Sequence, residues 1–417
     1  MKIIVMGAGL FGVTSAYYLA RAGHDVTVID RQSEPAKETS FANAGLISPG
    51  HAYAWASPRA PMTLLRSLWS KDTALRYRLR LDPAMWSWSL KFLANCTASA
   101  YRRNTLTKLK LCIYSQEQTE LLAKTEALEW DQTKKGILYL FRNESQFLAS
   151  QSAAALLRDK GITVNTLTRD ELLAIEPALH SMRDKLVGAL FTPGDETGDA
   201  RKFTVALAEK CRALNVEFQF NNEIVSMTSK NGKITQLQTR HGDRIADRYV
   251  LALGSYSPLL VDKLGIKMPI YPIKGYSVTV PLADPAQAPV IGGVDETYLV
   301  AFSRLGERLR ITSTAEFSGY NSAFSPDNFH HMLGIARELF PKAGQYDQPS
   351  YWACLRPTTA DGPPIIGQSP IENLWLNTGH GHLGWTMAAG SSRLLADIMD
   401  GKEPEIDMSG LTYDRYR

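Results

Sequence analysis

The sequence predicts a two-domain α/β protein. One domain is assembled from separate stretches of the chain around a parallel sheet, and the other has a mixed or antiparallel sheet. Three observations indicate this. The chain has 417 residues, which is more than one ordinary hydrophobic core supports. Residues 1–30 follow the pattern strand, glycine turn, helix, strand. Three segments between residues 274 and 317 alternate and carry aromatic side chains, as half-buried strands do.

The composition is typical of a globular protein without low-complexity tracts or internal repeats. Apolar residues make up 44% and charged residues 21% of the chain, and the net charge of +4 is too small to predict nucleic-acid binding. Four cysteines are scattered without a C-x-x-C pair, which argues against a disulfide framework or a zinc site and favours a reducing, cytoplasmic location. No stretch is apolar for long enough to span a bilayer.

The first thirty residues form the most specific local pattern. Residues 2–6 are a short β-branched run, and apolar residues at helical spacing follow until Gly23. A second predicted strand covers residues 25–29 and ends at Asp30. The glycine turn between the first strand and the helix reads G-A-G-L-F-G. Glycines at this spacing after a strand, with an acid ending the next strand, are typical of a Rossmann-like dinucleotide site.

Each residue of this pattern has a physical role. Gly7 permits a tight turn, Gly9 lets a pyrophosphate approach the backbone, and Gly12 lets helix and strand pack closely. The helix N-terminus stabilises the phosphate charge, and Asp30 can accept hydrogen bonds from ribose hydroxyls. An acid at this position disfavours the 2′-phosphate of NADP, so FAD and NAD remain. The predicted cofactor set at this end also includes Leu10, Phe11 and Arg31.

Further strands and helices are predicted along the rest of the chain. Strands are expected at 136–142, 186–194, 216–221, 248–258, 274–281, 296–304 and 308–317, and helices at 145–161 and after Asp199, which is predicted to cap its helix. The predicted nucleotide-binding domain comprises residues 1–50, 195–265 and 350–417. The predicted second domain comprises residues 51–194 and 266–349.

Residues 59–110 form a basic, aromatic segment that allows two interpretations. It contains eleven basic residues but only two acidic ones, Asp72 and Asp82, and tryptophans and other aromatic residues are interleaved with them. The basic residues are Arg59, Arg66, Lys71, Arg76, Arg78, Arg80, Lys91, Arg102, Arg103, Lys108 and Lys110. The segment suits an anionic membrane surface, and it equally suits a solvated helical hairpin whose tryptophans pack inward.

A second glycine-rich element, LNTGHGHLGWTMAAG, covers residues 376–390. Its His380 and His382 are spaced as a metal-ligand pair could be, but no other histidine or cysteine pair has suitable spacing, so we expect no metal site. Two interpretations remain open: His380 takes part in catalysis, or the glycines let the backbone approach a flat ligand closely, with His380 as a neighbouring loop residue.

Together, these segments resemble the superfamily of D-amino acid oxidase and glycine oxidase, and more closely the bacterial D-amino acid dehydrogenases of the small-subunit type. The resemblance is carried by ETSFANAGLISPG, PGDETGD, LALGSYSP, YPIKGYS, DETYLVAFSR, LRPTTADGPPIIG and NTGHGHLGWTMAAGSS, which occur in the family's order along the whole chain. It implies a D-amino acid oxidase-like fold, in which a Rossmann-like FAD-binding domain joins a substrate domain whose mixed sheet covers the isoalloxazine.

The resemblance also implies residues that hold FAD. Asn43, Ala44 and Gly45 would approach the flavin, and Val225 lies where the family's adenine-side strand passes. The C-terminal element would meet the pyrimidine end of the ring through backbone N–H groups at a helix start, where negative charge appears on reduction. The residues implied there are Gly379, His380, Gly381, Leu383, Gly384, Trp385 and Thr386.

For the substrate, the resemblance implies that Arg356 pairs with the amino acid carboxylate through both prongs of its guanidinium. Tyr298 and, more weakly, Tyr276 are candidates to hold the carboxylate or line the pocket. Lys274 and His51 are expected to border the pocket without an assigned role. Cys354 stands where monomeric sarcosine oxidases have their flavin-linking cysteine. Here we expect a core residue, with covalent FAD as the alternative.

The implied reaction is oxidative deamination of D-alanine-like and other neutral D-amino acids. A hydride moves to flavin N5, the imino acid is hydrolysed to a 2-oxo acid and ammonia, and the electrons pass to a quinone or another respiratory acceptor. The expected location is the cytoplasm, either free or peripheral on the inner face of the cell membrane. One alternative is an oxidase or dehydrogenase of glycine, sarcosine or a hydroxyproline isomer. Alternatives of other kinds are a non-redox nucleotide-binding protein and, from the glycine motif alone, an NAD-dependent dehydrogenase.

Overall fold

The computed structural model describes residues 1–67, 75–77 and 80–417. The helices are α1 (Leu10–Arg21), α2 (Ala60–Ser67), α3 (Pro83–Ala94), α4 (Ala98–Glu126), α5 (Glu144–Arg158), α6 (Arg169–Ile175), α7 (Ala200–Ala213), α8 (Ser257–Val261), α9 (His330–Leu339) and α10 (Gly384–Met399). The strands are β1 (Lys2–Met6), β2 (Asp25–Ile29), β3 (Leu46–Ile47), β4 (Leu75–Tyr77), β5 (Ile137–Phe141), β6 (Asn165–Thr168), β7 (Gly188–Thr192), β8 (Glu196–Thr197), β9 (Glu217–Gln219), β10 (Ile224–Lys230), β11 (Lys233–Thr239), β12 (Gly242–Arg244), β13 (Arg248–Leu251), β14 (Ile270–Pro281), β15 (Gly292–Asp295), β16 (Val300–Leu305), β17 (Arg308–Phe317), β18 (Ser350–Thr359), β19 (Ile365–Gln368) and β20 (Leu374–Thr378).

The first sheet has the order β19-β20-β13-β1-β2-β9 and is parallel except for its edge strand β19. Its central strands are apolar along their length, because helices cover both faces of a parallel sheet. Asp199 caps α7 as predicted, since its side chain accepts hydrogen bonds from the backbone N–H groups of Arg201 and Lys202. The chain thus builds a doubly wound layer from distant stretches.

The second sheet is mixed and has the order β18-β14-β17-β16-β15-β5-β7-β6, with β4 pairing in parallel with β17. Most neighbours are antiparallel, and β15 pairs with β5 in parallel. Helix α9 and the turns around residues 177–185 pack against it to form a separate core. The predicted α/β class with a mixed second sheet is confirmed.

Two elements pack with the other domain than the one to which the predicted domain boundaries assign them. Strand β18 falls within 350–417, which we assigned to the nucleotide domain, but it pairs along its whole length with β14 of the second sheet. Helix α4 falls within 51–194, which we assigned to the second domain, but Leu109, Leu111 and Cys112 share a core with β1 and α1. Strand pairing places β18 and hydrophobic contacts place α4. In both cases the partners are distant in the sequence, so a local pattern does not reveal them.

The basic segment 59–110 is only partly described. Trp69, Lys71, Asp72 and Arg78 lie outside the described residues. Trp88 is buried and donates a hydrogen bond to the Thr358 carbonyl, as the inward-packing interpretation expects, whereas Trp86 is exposed. Lys108 is buried and does not belong to any basic surface. None of the helices in the described ranges combines the length and hydropathy that crossing a bilayer requires.

Candidate active site

A cavity of about 1000 Å³ is lined by residues of both sheets. Its walls are the turns that follow β1, β2 and β13 at the carboxyl edge of the parallel sheet, the segment 38–57, and parts of β14, β17 and β18. Ligands bind at this edge in open α/β sheets, and small-molecule sites reach about 1,000 Å³ in volume. The cavity is therefore large enough for a dinucleotide together with a small substrate.

The glycine turn has the geometry that its sequence predicts. Gly7 adopts a φ of +104°, and a Cβ there would lie 2.8 Å from the Ala252 carbonyl oxygen. A Cβ on Gly12 would lie 1.8 Å from the Gly7 carbonyl oxygen, so helix and strand can pack only without a side chain. Gly9, Leu10 and Phe11 line the cavity at the start of α1. A phosphate group can therefore approach the helix N-terminus.

Asp30 lies beside this turn and lines the cavity. One of its oxygens accepts the Ala8 N–H at 2.5 Å and the other accepts the Gln32 N–H at 2.7 Å. Burial raises the pKa of the Asp30 carboxyl, and these two hydrogen bonds oppose that rise. Arg31, which also lines the cavity, stacks over the Tyr256 ring at 4.1 Å and pairs with Glu38 at 2.6 Å.

The backbone of residues 43–45 lines the cavity and is attached to the second sheet. Arg310 donates to the Asn43 carbonyl at 2.9 Å, and the Ser303 hydroxyl donates to the Ala44 carbonyl at 2.7 Å. Gly45 has a φ of +74°, and its N–H donates to the Asn43 side chain at 3.0 Å. These contacts hold the segment rigidly across the boundary between the two domains.

The C-terminal glycine element reaches the same cavity. Gly381, Leu383, Gly384 and Trp385 line it at the start of α10, where no side chain caps the helix. His380 also lines it, with its ring stacked on Phe11 at 3.6 Å and its Nε2 hydrogen-bonded to the Ser391 hydroxyl at 3.1 Å. Burial lowers the pKa of His380 well below its usual range, so the ring is neutral at pH 7. The uncapped N-terminus therefore offers backbone N–H donors and a favourable dipole to a ligand.

Three residues of the predicted cofactor set support the cavity without lining it. Gly12 provides the close helix packing described above. Gly379 has a φ of +83°, and a Cβ there would lie 2.7 Å from the Thr359 side chain. The Thr386 hydroxyl accepts the Ser48 N–H at 3.0 Å and so connects α10 to the segment after β3. Val225, on β10, lines the cavity at its far end.

Arg356 extends from β18 into the cavity. Its guanidinium lies directly over Gly275, where a Cβ would be 2.3 Å from the Arg356 Cζ. One Nη donates to the Thr314 carbonyl at 2.8 Å. Burial lowers the pKa of Arg356, and among the described residues no carboxylate lies within ion-pair distance of it. Arg356 is half-buried and open to the cavity, and a ligand that fills the cavity would remove it from water, so that ligand must supply a negative charge to offset the cost.

The Thr314 carbonyl reaches Arg356 because β17 is irregular at this point. The register between β14 and β17 shifts between the pairs Lys274–Glu316 and Tyr276–Ser313, and Thr314 adopts a φ of +69°. Positive φ is strained for a β-branched residue and marks a backbone that its surroundings hold in place. No local sequence signal predicted this bulge. Gly275, opposite it, was the only hint of a close approach.

The two predicted tyrosines lie in different places. Tyr276 lines the cavity, and its hydroxyl donates to Glu316 at 2.6 Å. Tyr298 is not among the lining residues. It lies in the turn 296–299, half-buried against the core of the second sheet, with its ring 4.7 Å from the Arg142 guanidinium and 5.7 Å from the His331 ring.

The matching family model, described as FAD dependent oxidoreductase, covers residues 2–398. The chain belongs to this family. It is similar to the D-amino acid dehydrogenase of Bradyrhizobium diazoefficiens (46% identity, covering 100% of this chain and 99% of the relative). It is also similar to the D-amino acid dehydrogenase of Sinorhizobium medicae (47% identity, covering both chains completely).

Two solved structures have the same fold at low sequence identity. Glycine oxidase from Geobacillus kaustophilus matches with a TM-score of 0.76 and 22% identity over 99% of this chain and 98% of that one. L-proline dehydrogenase from P. horikoshii matches with a TM-score of 0.75 and 17% identity over 100% of this chain and 97% of that one. The predicted enzyme class and the FAD cofactor are confirmed by the family.

The cavity fits FAD on its own geometry. The open Gly9 turn at the start of α1 suits the pyrophosphate, Asp30 suits a ribose, and the uncapped start of α10 suits the electron-accepting edge of a flavin ring. Cys354 lines the cavity as well, but burial raises the pKa of its thiol. A thiol that resists ionisation is a poor nucleophile, which argues against a covalent link.

The sequence patterns did not identify Glu296, a further polar residue that lines the cavity. His51 lines the cavity, as expected, and its Nε2 lies 3.1 Å from a Glu296 oxygen while its ring stacks on Tyr139 at 4.8 Å. Glu296 was not singled out, because it is remote in sequence. Lys274, in contrast, is absent from the lining residues, and its ammonium donates to the Ala323 carbonyl.

Proposed function

We propose that this oxidoreductase deaminates D-alanine and other neutral D-amino acids to 2-oxo acids and ammonia. The observation that carries the proposal is Arg356, a half-buried guanidinium that faces the cavity without a carboxylate partner in the described residues. An amino acid carboxylate matches the planar fork of arginine with two hydrogen bonds. The relatives named D-amino acid dehydrogenase support the substrate class.

The residues of the cavity orient the substrate. Arg356 binds the carboxylate, and Tyr276 forms the adjacent wall. FAD, held by the Gly9 turn, Asp30 and the start of α10, supplies a hydride acceptor. With the carboxylate held, the Cα–H can point at that acceptor while the lone pair of the neutral amine assists hydride departure. Orientation is the main contribution of the protein, and water then converts the imino acid to the 2-oxo acid and ammonia.

We further infer that the electrons go to a quinone or another respiratory acceptor, with the protein peripheral on a membrane. The name dehydrogenase carried by the relatives supports an acceptor other than oxygen. The fold also occurs in glycine oxidase, so oxidation of glycine or sarcosine with peroxide formation is the competing activity.

An anaerobic substrate panel tests the proposal. Purified holoenzyme is mixed with D-alanine, L-alanine, glycine and sarcosine without oxygen, and the visible flavin band is recorded. We expect D-alanine to bleach the band, L-alanine to leave it unchanged, and air to restore it only slowly, so that peroxide forms slowly during aerobic turnover unless another electron acceptor is added. Bleaching by glycine or sarcosine alone would assign the competing activity. A band that no D-amino acid bleaches would remove the proposal.

A further inference from the structure

The two histidines of the C-terminal glycine element contact different walls of the cavity. The His380 ring stacks on Phe11 of α1, which belongs to the nucleotide side. The His382 ring stacks on Trp55 at 4.7 Å, and both of these side chains line the cavity. Residues 381–383 form a single 3-10 turn, and Gly381 has a φ of +58° between the two rings. His382 therefore faces a part of the cavity that the cofactor assignments leave unused.

Backbone pairing brings His382 close to Arg356. Thr358, on β18, forms an antiparallel bridge with His380. In an antiparallel pair, the chain that follows one partner runs beside the chain that precedes the other. The residues after His380 therefore run back along β18 from Thr358 toward Arg356, and the turn 381–383 packs against this strand. The charge of Arg356 acts on the His382 ring and lowers its pKa, as expected for neighbouring groups.

His382 is a neutral imidazole in positively charged surroundings. Burial lowers the pKa of its ring well below the usual range, and the charges of Lys108, His51 and Arg356 lower it further. Lys108 reaches this wall from α4, where its ammonium donates to the Tyr53 carbonyl at 2.8 Å. The His382 ring is half-buried against the cavity and has no hydrogen-bond partner among the described residues. A ligand that covers the ring must therefore supply a partner to offset the loss of water.

We propose that His382 accepts a hydrogen bond from the amino group of the substrate while Arg356 holds the carboxylate. The two groups of an α-amino acid are attached to the same carbon, so their partners in the protein must be neighbours, as these two side chains are. The neutral ring offers its unprotonated nitrogen as the acceptor. With both groups held, the Cα–H has one fixed direction. This inference rests on the proposed function, since it names the amine partner in that reaction.

Glu296 also lines the cavity but is a less suitable partner for the amine. Its carboxylate already lies 3.1 Å from the His51 Nε2. A carboxylate favours the protonated ammonium, whose nitrogen has no lone pair to assist hydride departure. The positive charges around His382 favour the neutral amine, which is the form that the reaction consumes. An acceptor at His382 therefore binds the amine without stabilising its unreactive form.

The test uses the full-length holoenzyme and the substitution His382→Phe, which keeps a ring against Trp55 and removes both nitrogens. His382→Gln restores an acceptor and serves as the rescue variant. The matched control is His331→Phe, which makes the same change at another half-buried histidine whose ring contacts an aromatic ring, away from the cavity lining. For each protein, kcat and KM for D-alanine are measured with a soluble dye. Binding of propanoate, which has the carboxylate and lacks the amine, is followed through the flavin absorption band.

We expect His382→Phe to lower kcat/KM for D-alanine by about 10- to 100-fold, because the amine loses its acceptor. The affinity for propanoate should stay within about twofold of the wild type, since Arg356 still holds the carboxylate. His382→Gln should recover most of the lost kcat/KM, and the control should behave as the wild type. The flavin spectrum without substrate and the melting temperature should be the same in all four proteins.

An unchanged kcat/KM for D-alanine in His382→Phe overturns the amine contact. Equal losses of D-alanine and propanoate binding would assign the ring to the carboxylate pocket and overturn it as well. A shifted flavin spectrum with an unchanged KM would assign the ring to the cofactor, with the same consequence. If D-alanine fails to reduce the wild-type flavin, the proposed function fails and this inference with it, whereas full activity of His382→Phe leaves the proposed function standing.

Discussion

Gly275 lies under the Arg356 guanidinium, and replacing it with alanine should damage substrate binding while leaving the fold intact. A Cβ at this position would be 2.3 Å from Cζ and 2.4 and 2.5 Å from the two Nη atoms, whereas ordinary contacts begin at 3.4 Å. The guanidinium must therefore retreat by about 1 Å, and a displacement of that size costs roughly 10²-fold in rate. Gly275 has no positive φ, so alanine does not strain the strand.

The assay is kcat/KM for D-alanine with a soluble dye, together with thermal unfolding of the holoenzyme. We expect Gly275→Ala to lower kcat/KM by on the order of 10²-fold, mainly through KM, with the midpoint of unfolding nearly unchanged. The control is Gly334→Ala in α9, where a Cβ meets nothing within 4 Å. The control should keep its kcat/KM and gain up to about 1 kcal/mol of stability. Full activity of Gly275→Ala would refute the carboxylate-binding role of Arg356.

Five further single substitutions test the roles of three predicted site residues and the effect of two buried titratable groups. Arg356→Leu should lower kcat/KM for D-alanine by roughly 10²- to 10³-fold in steady-state assays, because the carboxylate loses a buried two-pronged partner. Tyr298→Phe should change KM by less than about twofold, since its ring lies outside the cavity lining, whereas Tyr276→Phe should raise KM measurably. Burial lowers the pKa of Lys108 to about 8, below the usual 10.5. The native state therefore bears the cost of the buried charge below pH 8, so Lys108→Met should stabilise the protein by roughly 2 kcal/mol at pH 7, and urea unfolding should show this advantage shrinking as the pH rises through 8 toward 10. Burial raises the pKa of Asp195 to about 6 from 3.8, so its contribution to stability falls as the pH rises from about 4 to 6. Asp195→Asn should remove roughly 3 kcal/mol of pH dependence across that window, and identical pH profiles for variant and wild type would contradict the burial argument.

Local patterns predicted the parts of the site that local backbone geometry creates. Gly7, Gly9 and Gly12 could be interpreted from spacing alone, because a tight turn, an open approach and a close helix contact each exclude a side chain. The glycines before α10 predicted in the same way that its backbone could approach a ligand closely. Only Gly12 meets its own strand–turn–helix unit, whereas a Cβ on Gly7 would meet Ala252 and one on Gly379 would meet Thr359, so the tertiary structure supplies most of the neighbours that exclude a side chain.

The substrate side could not be predicted in this way. Arg356 acquires its position from β14, Thr314 and Gly275, which are dozens of residues away and meet it only through strand pairing. The sequence predicts a strand over 296–304, but Tyr298 lies in the turn 296–299 between β15 and β16, where its ring packs against Arg142 and does not line the cavity. The place where a strand ends depends on the distant surfaces that pack against it, so a pattern of aromatic residues does not tell which ring meets a ligand.

The sequence by itself determined the dinucleotide turn, the acid after the second strand and the α/β class, because short-range sterics and periodicity encode them. Only the tertiary structure decided that β18 belongs to the second sheet and that Thr314 bulges toward Arg356. The reason is physical. Burial and long-range pairing depend on which distant surfaces meet, and many arrangements satisfy the same local preferences.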